Sequence, residues 1–248
     1  MRILPLSMLL LLIPGSILAK DDTVAKAIEL LRIGSQTEGV EILRNLSSTK
    51  SADGKYALCV MHFEGIEIEK SYELSFKACK SAAQDNHADA QYMVGMMYEN
   101  GLGIDPNYVT SAQWYKKSAT QNNIYAKLNL ANMYFEGRGV EKNLDKAFSL
   151  AKSSAESGYS LAQNSIAIAY AKGEGVEQDW NNANRWWKLA ADQGLSEAQN
   201  SYGISMCNGR GMEKNIEAGK KWIEAALAQG YQPANAGIKD CESSWWPF

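Results

Sequence analysis

Six small residues, Gly54, Ala90, Ala126, Ala162, Ala198 and Ala234, follow one another at intervals of 36 residues with no gap needed to keep register. A second column, Gly65, Gly101, Gly137, Gly173 and Gly209, keeps the same interval. A fixed period of this length marks a chain built from stacked copies of one supersecondary unit, each packing only on its neighbours. Such an array exposes an extended surface and biases function toward binding. The period does not name the partner.

Within each period the spacing predicts two helices. In the unit 88–123, Ala90, Val94, Met97 and Tyr98 recur at helical intervals, and Gly101 and Gly103 interrupt the pattern. Gly101 suits the left-handed position that closes a helix. Ile104 returns an apolar side chain, and Asn107 opens a second helix carrying Trp114, Tyr115 and Ala119. Across the five units the second helix opens on Ser71, Asn107, Asn143, Asp179 and Asn215, all good N-caps. It closes on Asn86, Asn122, Gly158, Gly194 and Gly230, the residue types that best tolerate a left-handed cap. Gly95, Ala131, Ala167 and Gly203 form a further small column in the first helix, suited to close approach by bulky Trp114 or Trp186.

The stretches Tyr98-Glu-Asn-Gly-Leu-Gly-Ile, Tyr134-Phe-Glu-Gly-Arg-Gly-Val and Tyr170-Ala-Lys-Gly-Glu-Gly-Val, with Lys146-Ala147, Trp186-Trp187 and Ala191-Asp-Gln-Gly194, resemble Sel-1-like repeats. That family is a branch of the tetratricopeptide-like solenoids. The resemblance implies an all-α, right-handed α/α solenoid of about five 36-residue helix-loop-helix repeats, 52–87, 88–123, 124–159, 160–195 and 196–231. Residues 20–51 read as an N-terminal capping helix pair, and 232–248 as a partial repeat with a Trp-rich tail. The first unit departs from the pattern, with His62 for Tyr and Glu67 for the second Gly, and the fifth has Met206 for Tyr. Terminal units are often atypical because they cap the stack.

Residues 1–19 read as a cleavable signal peptide: Arg2, an apolar run Ile3–Ile13, a break at Pro14-Gly-Ser16, and Ala19 before Lys20. The alternative is a buried N-terminal helix. No Cys follows the run to carry a lipid. Export places the chain in the periplasm or outside the cell. No later segment is apolar enough to span a bilayer, so no transmembrane segment is expected in the mature chain. The net charge of −3 gives no basic excess for nucleic acid.

The compartment matters for the four cysteines. Cys59 aligns with Gly95 and Cys79 with Tyr115, on neighbouring antiparallel helices of one unit. Cys207 ends the first helix of the fifth unit, and Cys241 lies near matching height on the next. The register favours Cys59–Cys79 and Cys207–Cys241, each adding about 3 kcal/mol in the chain-entropy view. Free thiols are one alternative; a metal site from Cys59, His62, Cys79 and His87 is another. We expect no metal and no cofactor.

Ser47–Lys50 and Ser149–Lys152 match S-x-x-K, the nucleophile motif of penicillin-recognising enzymes, but neither S-D-N nor K-T-G accompanies it. A β-lactam or cell-wall-precursor hydrolase is therefore the alternative reading, and no catalytic residue is expected. The resemblance implies that the first helix of each unit lines a concave face. On it, Tyr92, Met96, Leu128, Asn132, Asn164, Ile168, Asn200 and Ile204 vary while the packing columns do not. This stripe is the expected partner-binding surface for a protein or peptide; its alternative is packing of one helix on the next. The role suggested is a non-catalytic interaction module of the bacterial envelope, within which an immunity protein against a periplasm-acting toxin is the sharper option. The Trp245-Trp-Pro-Phe248 end either folds back as a cap or docks a partner.

Overall fold

A computed structural model describes residues 23–243. The proposed signal segment and the Trp245–Phe248 end lie outside them. The described residues contain helices α1 (Thr23–Arg32), α2 (Gln36–Ser47), α3 (Ala52–Glu64), α4 (Tyr72–Gln84), α5 (Ala88–Asn100), α6 (Tyr108–Thr120) and α7 (Ile124–Glu136). These are followed by α8 (Leu144–Glu156), α9 (Ser160–Lys172), α10 (Trp180–Asp192), α11 (Ser196–Asn208), α12 (Ile216–Ala228) and α13 (Ala234–Ser243). No strand occurs among the described residues. They form two compact units that divide between Lys142 and Asn143. In each, every helix packs on the next in sequence, which is α/α solenoid architecture. No helix there is long and apolar enough to cross a membrane.

Capping residues set the helix ends. Ser71, Asn107, Asn143, Asp179 and Asn215 each accept a backbone N–H three residues on, at 2.8–3.3 Å. Asn86 and Asn122 hold φ of 67° and 66°, positions where Gly158, Gly194 and Gly230 stand in later repeats. In four repeats a backbone bond closes the loop after the first helix. The N–H of Ser71, Asn107, Asp179 and Asn215 donates to the carbonyl of His62, Tyr98, Tyr170 and Met206 at 2.8–2.9 Å. Because the carbonyl makes this bond, His62 and Met206 can replace Tyr without changing the turn.

The side chain at that position serves the joint to the preceding repeat. Tyr98 meets Phe76, and Tyr170 meets Phe148, each edge-on at 5.3 Å. Where Met206 replaces Tyr, Asn184 replaces the Phe, and its amide donates to the Arg210 carbonyl at 2.6 Å. The second loop glycine makes the same joint tighter. A methyl at Gly103 would overlap the Tyr72 carbonyl; one at Gly139, Gly175 or Gly211 would collide with the backbone of Tyr108, Leu144 or Trp180. Glu67, in the first repeat, keeps φ at 59° but bears a side chain that pairs with Arg44 of α2, Nε to Oε2 at 2.9 Å. A short-looped helix pair precedes it, so the collision that demands Gly elsewhere does not arise.

The first helix and the second helix of a repeat meet at the small column. A methyl at Gly95 would lie 2.7 Å from Tyr115 Cδ1, and one at Gly203 2.7 Å from Ile223 Cγ1. The partner of Gly95 is Tyr115, not Trp114. One residue along a helix rotates a side chain by about 100°, which turns Trp114 away from the contact and Tyr115 into it. In the first repeat the same two positions hold Cys59 and Cys79, joined as a disulfide with Cα atoms 4.9 Å apart. Cys207 joins Cys241 across 5.2 Å and ties α13 to α11. The candidate metal set is therefore dismantled: both of its cysteines are bonded, and no metal-holding group occurs among the described residues.

Gly139→Ala should lower stability more than Gly194→Ala. Both sites have positive φ, at about 1–2 kcal/mol for an L residue, but an added methyl meets nothing at Gly194 and meets backbone at Gly139. Thermal unfolding of the two variants measures the difference. Reduction should remove about 3–4 kcal/mol per bond in the chain-entropy view. Non-reducing peptide mapping should link Cys59 to Cys79 and Cys207 to Cys241.

Candidate partner-binding surface

The first helices of the repeats, α3, α5, α7, α9 and α11, carry the Ala column fully buried at Ala90, Ala126, Ala162 and Ala198. One residue after it stand Gln91, Gln163 and Gln199, also buried. Each donates through Nε2 to a carbonyl at the end of the preceding second helix, Ala83, Ala155 or Ala191, at 3.2–3.3 Å. Each also accepts from a second glutamine, Gln121, Gln193 or Gln229, at 2.7–2.9 Å. In the first repeat the corresponding pair is Lys55 and Asp85, joined as an ion pair. This clasp satisfies a buried amide at both ends, at about 1 kcal/mol per bond. The sequence reasoning missed it, although both glutamine columns keep the repeat register in the second, fourth and fifth repeats, with Lys127 and Ser157 in the third.

The expected stripe divides in two. At its first position, Tyr92 is part-buried with its ring 5.9 Å from Tyr115 and 5.7 Å from Tyr125. Leu128 is 6% exposed. Asn164 accepts from Trp187 Nε1 at 3.1 Å, and Asn200 lies against Gly237, its Oδ1 buried. These four side chains serve packing. At the second position Met96 is 8% exposed, whereas Asn132 is open to solvent. Ile168 and Ile204 are part-buried against core clusters of the second unit. Of the eight, Asn132 offers the most surface; Glu136 on the same helix and Asn100 on α5 are exposed in the first unit, and Lys172 on α9 is exposed in the second.

One polar node stands beside this surface in the first unit. The Glu99 carboxylate, 14% exposed, accepts from Tyr115 Oη at 2.7 Å and pairs with Arg138 Nη1 at 3.1 Å. Asn129 Nδ2 donates to Tyr115 Oη at 3.1 Å. Arg138 also pairs with Glu136 and lies over the Tyr108 ring, 5.4 Å from its centroid. Burial, and then the Glu99 charge, push the Tyr92 phenol up to about 12 and hold Tyr115 well above the usual range. Both phenols stay neutral, so the node is a largely buried hydrogen-bonded cluster and holds no activated phenolate. The stripe did not include it. The available signal was Glu99 itself, charged in a column otherwise holding Phe63, Phe135, Ala171 and Cys207.

The S-x-x-K matches fall on helix surface. Ser149 and Lys152 lie on α8, Ser149 exposed and Lys152 part-buried, with Lys152 Nζ 3.9 Å from Glu156. Ser47 Oγ donates to the Arg44 carbonyl at 2.9 Å, at the end of α2.

Helix pairs in register, a side-chain cap opening the second helix of each repeat and an open helix surface define an α/α repeat scaffold of the protein-interaction class. The Sel1 repeat model matches residues 52–87, 88–123, 124–159, 160–195 and 196–231, and the chain belongs to the Sel1 repeat family. It is similar to a Sel1 repeat protein from Oxalobacter formigenes, at 26% identity and TM-score 0.76, covering 88% of this chain and 87% of that one. It is also similar to a protective antigen present in uropathogenic Escherichia coli strains, at 27% identity and TM-score 0.74. That match covers 87% of this chain but spans about half, 48%, of the antigen. An immunity protein from Pseudomonas aeruginosa shares the fold at 16% identity and TM-score 0.55, over 90% of this chain and 85% of that one. No curated protein sequence matches.

Glu99→Gln should lower the alkaline midpoint of the buried tyrosines, because the charge that disfavours phenolate is gone. The raised phenol values contribute stability below about pH 10 that is lost as pH rises toward 12. Absorbance titration at 295 nm, with unfolding followed in parallel, reads both effects.

Proposed function

We propose that this chain is a non-catalytic protein-binding module of the bacterial envelope that takes its partner on the open surface of its first helices. The observation that carries this reading is the contrast within those helices. Packing positions repeat from unit to unit, while the exposed positions change: Asn100, Glu136 and Lys172 share one column and differ in charge. A surface that varies on a constant scaffold is what recognition of one particular partner requires.

Two disulfides support action outside the cytoplasm, where such bonds persist. Within the binding class, the role we propose is immunity against a periplasm-acting toxin. Its support is a small disulfide-bonded scaffold whose fold is shared by a protein named for that role.

A photo-crosslinking amino acid at Asn132 should capture a protein from the native envelope, and the same group at Lys116, exposed on α6, should not. Mass spectrometry of the adduct names the partner. Equal capture at both positions, or none at Asn132, would refute the assigned surface; an adduct that is not a toxin would remove the immunity role alone.

A further inference from the structure

We propose that His87 is a proton-sensitive cap controlling the joint between the first and second repeats. Its Nδ1 accepts the Ala90 N–H at 3.2 Å and so closes the N-terminus of α5. An imidazole can accept there only when neutral, with its proton on Nε2. Ser51 and Asn123 occupy the same position in the flanking repeats and cap the same way, but neither titrates. The second repeat thus has the one titratable cap in this column; Tyr159 and Leu195 make no side-chain cap in the fourth and fifth.

The surroundings set the sign. The side chain is 9% exposed, its ring lies 4.4 Å from Tyr56 of α3, and Nε2 is 3.5 Å from Asp53 Oδ1. From the end of α4 comes Asp85, paired with Lys55 of α3. On α5 itself Asp89 accepts from Asn123 Nδ2 at 2.6 Å. Protonation would turn Nδ1 from acceptor into donor, facing another donor. It would also add positive charge where the helix dipole is already positive, in a site that hydrates it poorly. Asp53 opposes this, but it is 57% exposed and its attraction is screened. The cap and the dipole outweigh it. The folded protein therefore favours neutral imidazole, and stability falls as pH drops through the imidazole range near 6.5, where the unfolded chain takes up the proton more readily.

What loosens is the first turn of α5, which also carries Gln91. That glutamine bonds the Ala83 carbonyl at 3.2 Å and Asn86 Oδ1 at 3.1 Å, both at the end of α4. Acidification thereby acts on the clasp that fixes one repeat against the next.

The test is amide hydrogen exchange at Ala90 and Gln91 in the full mature chain, at pH 7.5 and 5.0, corrected for intrinsic rates. Protection should fall at pH 5.0 by about fivefold, the factor of a typical helix cap. His87→Asn, which copies the cap at Asn123, should keep its protection at both values, as should His87→Ser, and His62→Gln should behave like the parent. Unchanged or greater protection at pH 5.0 in the parent, or an equal loss in His87→Asn, overturns the proposal.

Discussion

Each joint in this chain depends on a helix N-terminus being approached so closely by the next repeat's loop that no side chain fits between them. The backbone of Tyr72, Tyr108, Leu144 or Trp180 occupies the space a methyl would need at the second loop glycine. The residue between the two glycines then sits over the side chain it has reached. Arg138 covers Tyr108, and Arg210 covers Trp180 at 5.1 Å. The period of 36 residues therefore records a distance of approach. A repeat with more side chain at this point could not stack, and the first repeat, which has no such repeat beneath it, carries Glu67 there.

Within a repeat the corresponding constraint is volume. The two positions where the helices touch hold Cys59 with Cys79, Gly95 with Tyr115, and Gly203 with Ile223. Ala167 and Trp187 share one buried cluster in the same register. In these four repeats a small residue stands with a large one, or two of moderate size are made covalent; the third, with Ala131 and Ala151 in these columns, departs from the pattern. Interiors tolerate such exchanges when total volume is kept. The disulfide of the first repeat is in this sense a packing solution made covalent. The bond at the other end differs. It joins α11 to α13, a helix with no complete repeat beyond it among the described residues, and supplies by covalency what a following repeat would supply by burial.

The helix bounds were legible in the sequence because caps act locally. Asn107 bonds Thr110 and Gly101 closes α5 whatever the rest of the molecule does. The surface was less legible because it depends on which way a helix is turned. Tyr92, Leu128, Asn164 and Asn200 vary between repeats, and variation alone suggested exposure. Three meet different neighbours, Tyr92 the Tyr125 ring, Asn164 the Trp187 indole and Asn200 the Gly237 backbone, and Leu128 is buried on α7. The glutamine clasp was hidden for the opposite reason. Its columns recur in three repeats of the five, but glutamine is ordinarily a surface residue, and only the geometry shows both ends of the amide bonded.

Polar groups inside this scaffold divide by whether their partners belong to the repeat. Gln91, Gln163 and Gln199 bond backbone carbonyls that every repeat possesses, so the same solution can be copied along the chain. Glu99 bonds Tyr115 and Arg138; the tyrosine stands once in its column, and although Arg210 repeats the arginine, no other repeat has a carboxylate in the Glu99 column. A buried carboxylate is costly unless paired, and removing either partner would leave the charge uncompensated. Such a node cannot be spread by copying, and it is not needed for stacking, since Phe63 and Phe135 fill the same column without it. Regular contacts build the solenoid, and irregular polar ones make the second repeat chemically unlike its neighbours. The individuality of the molecule is concentrated there, on and beside α5, where one titratable cap and one buried carboxylate stand within a single repeat.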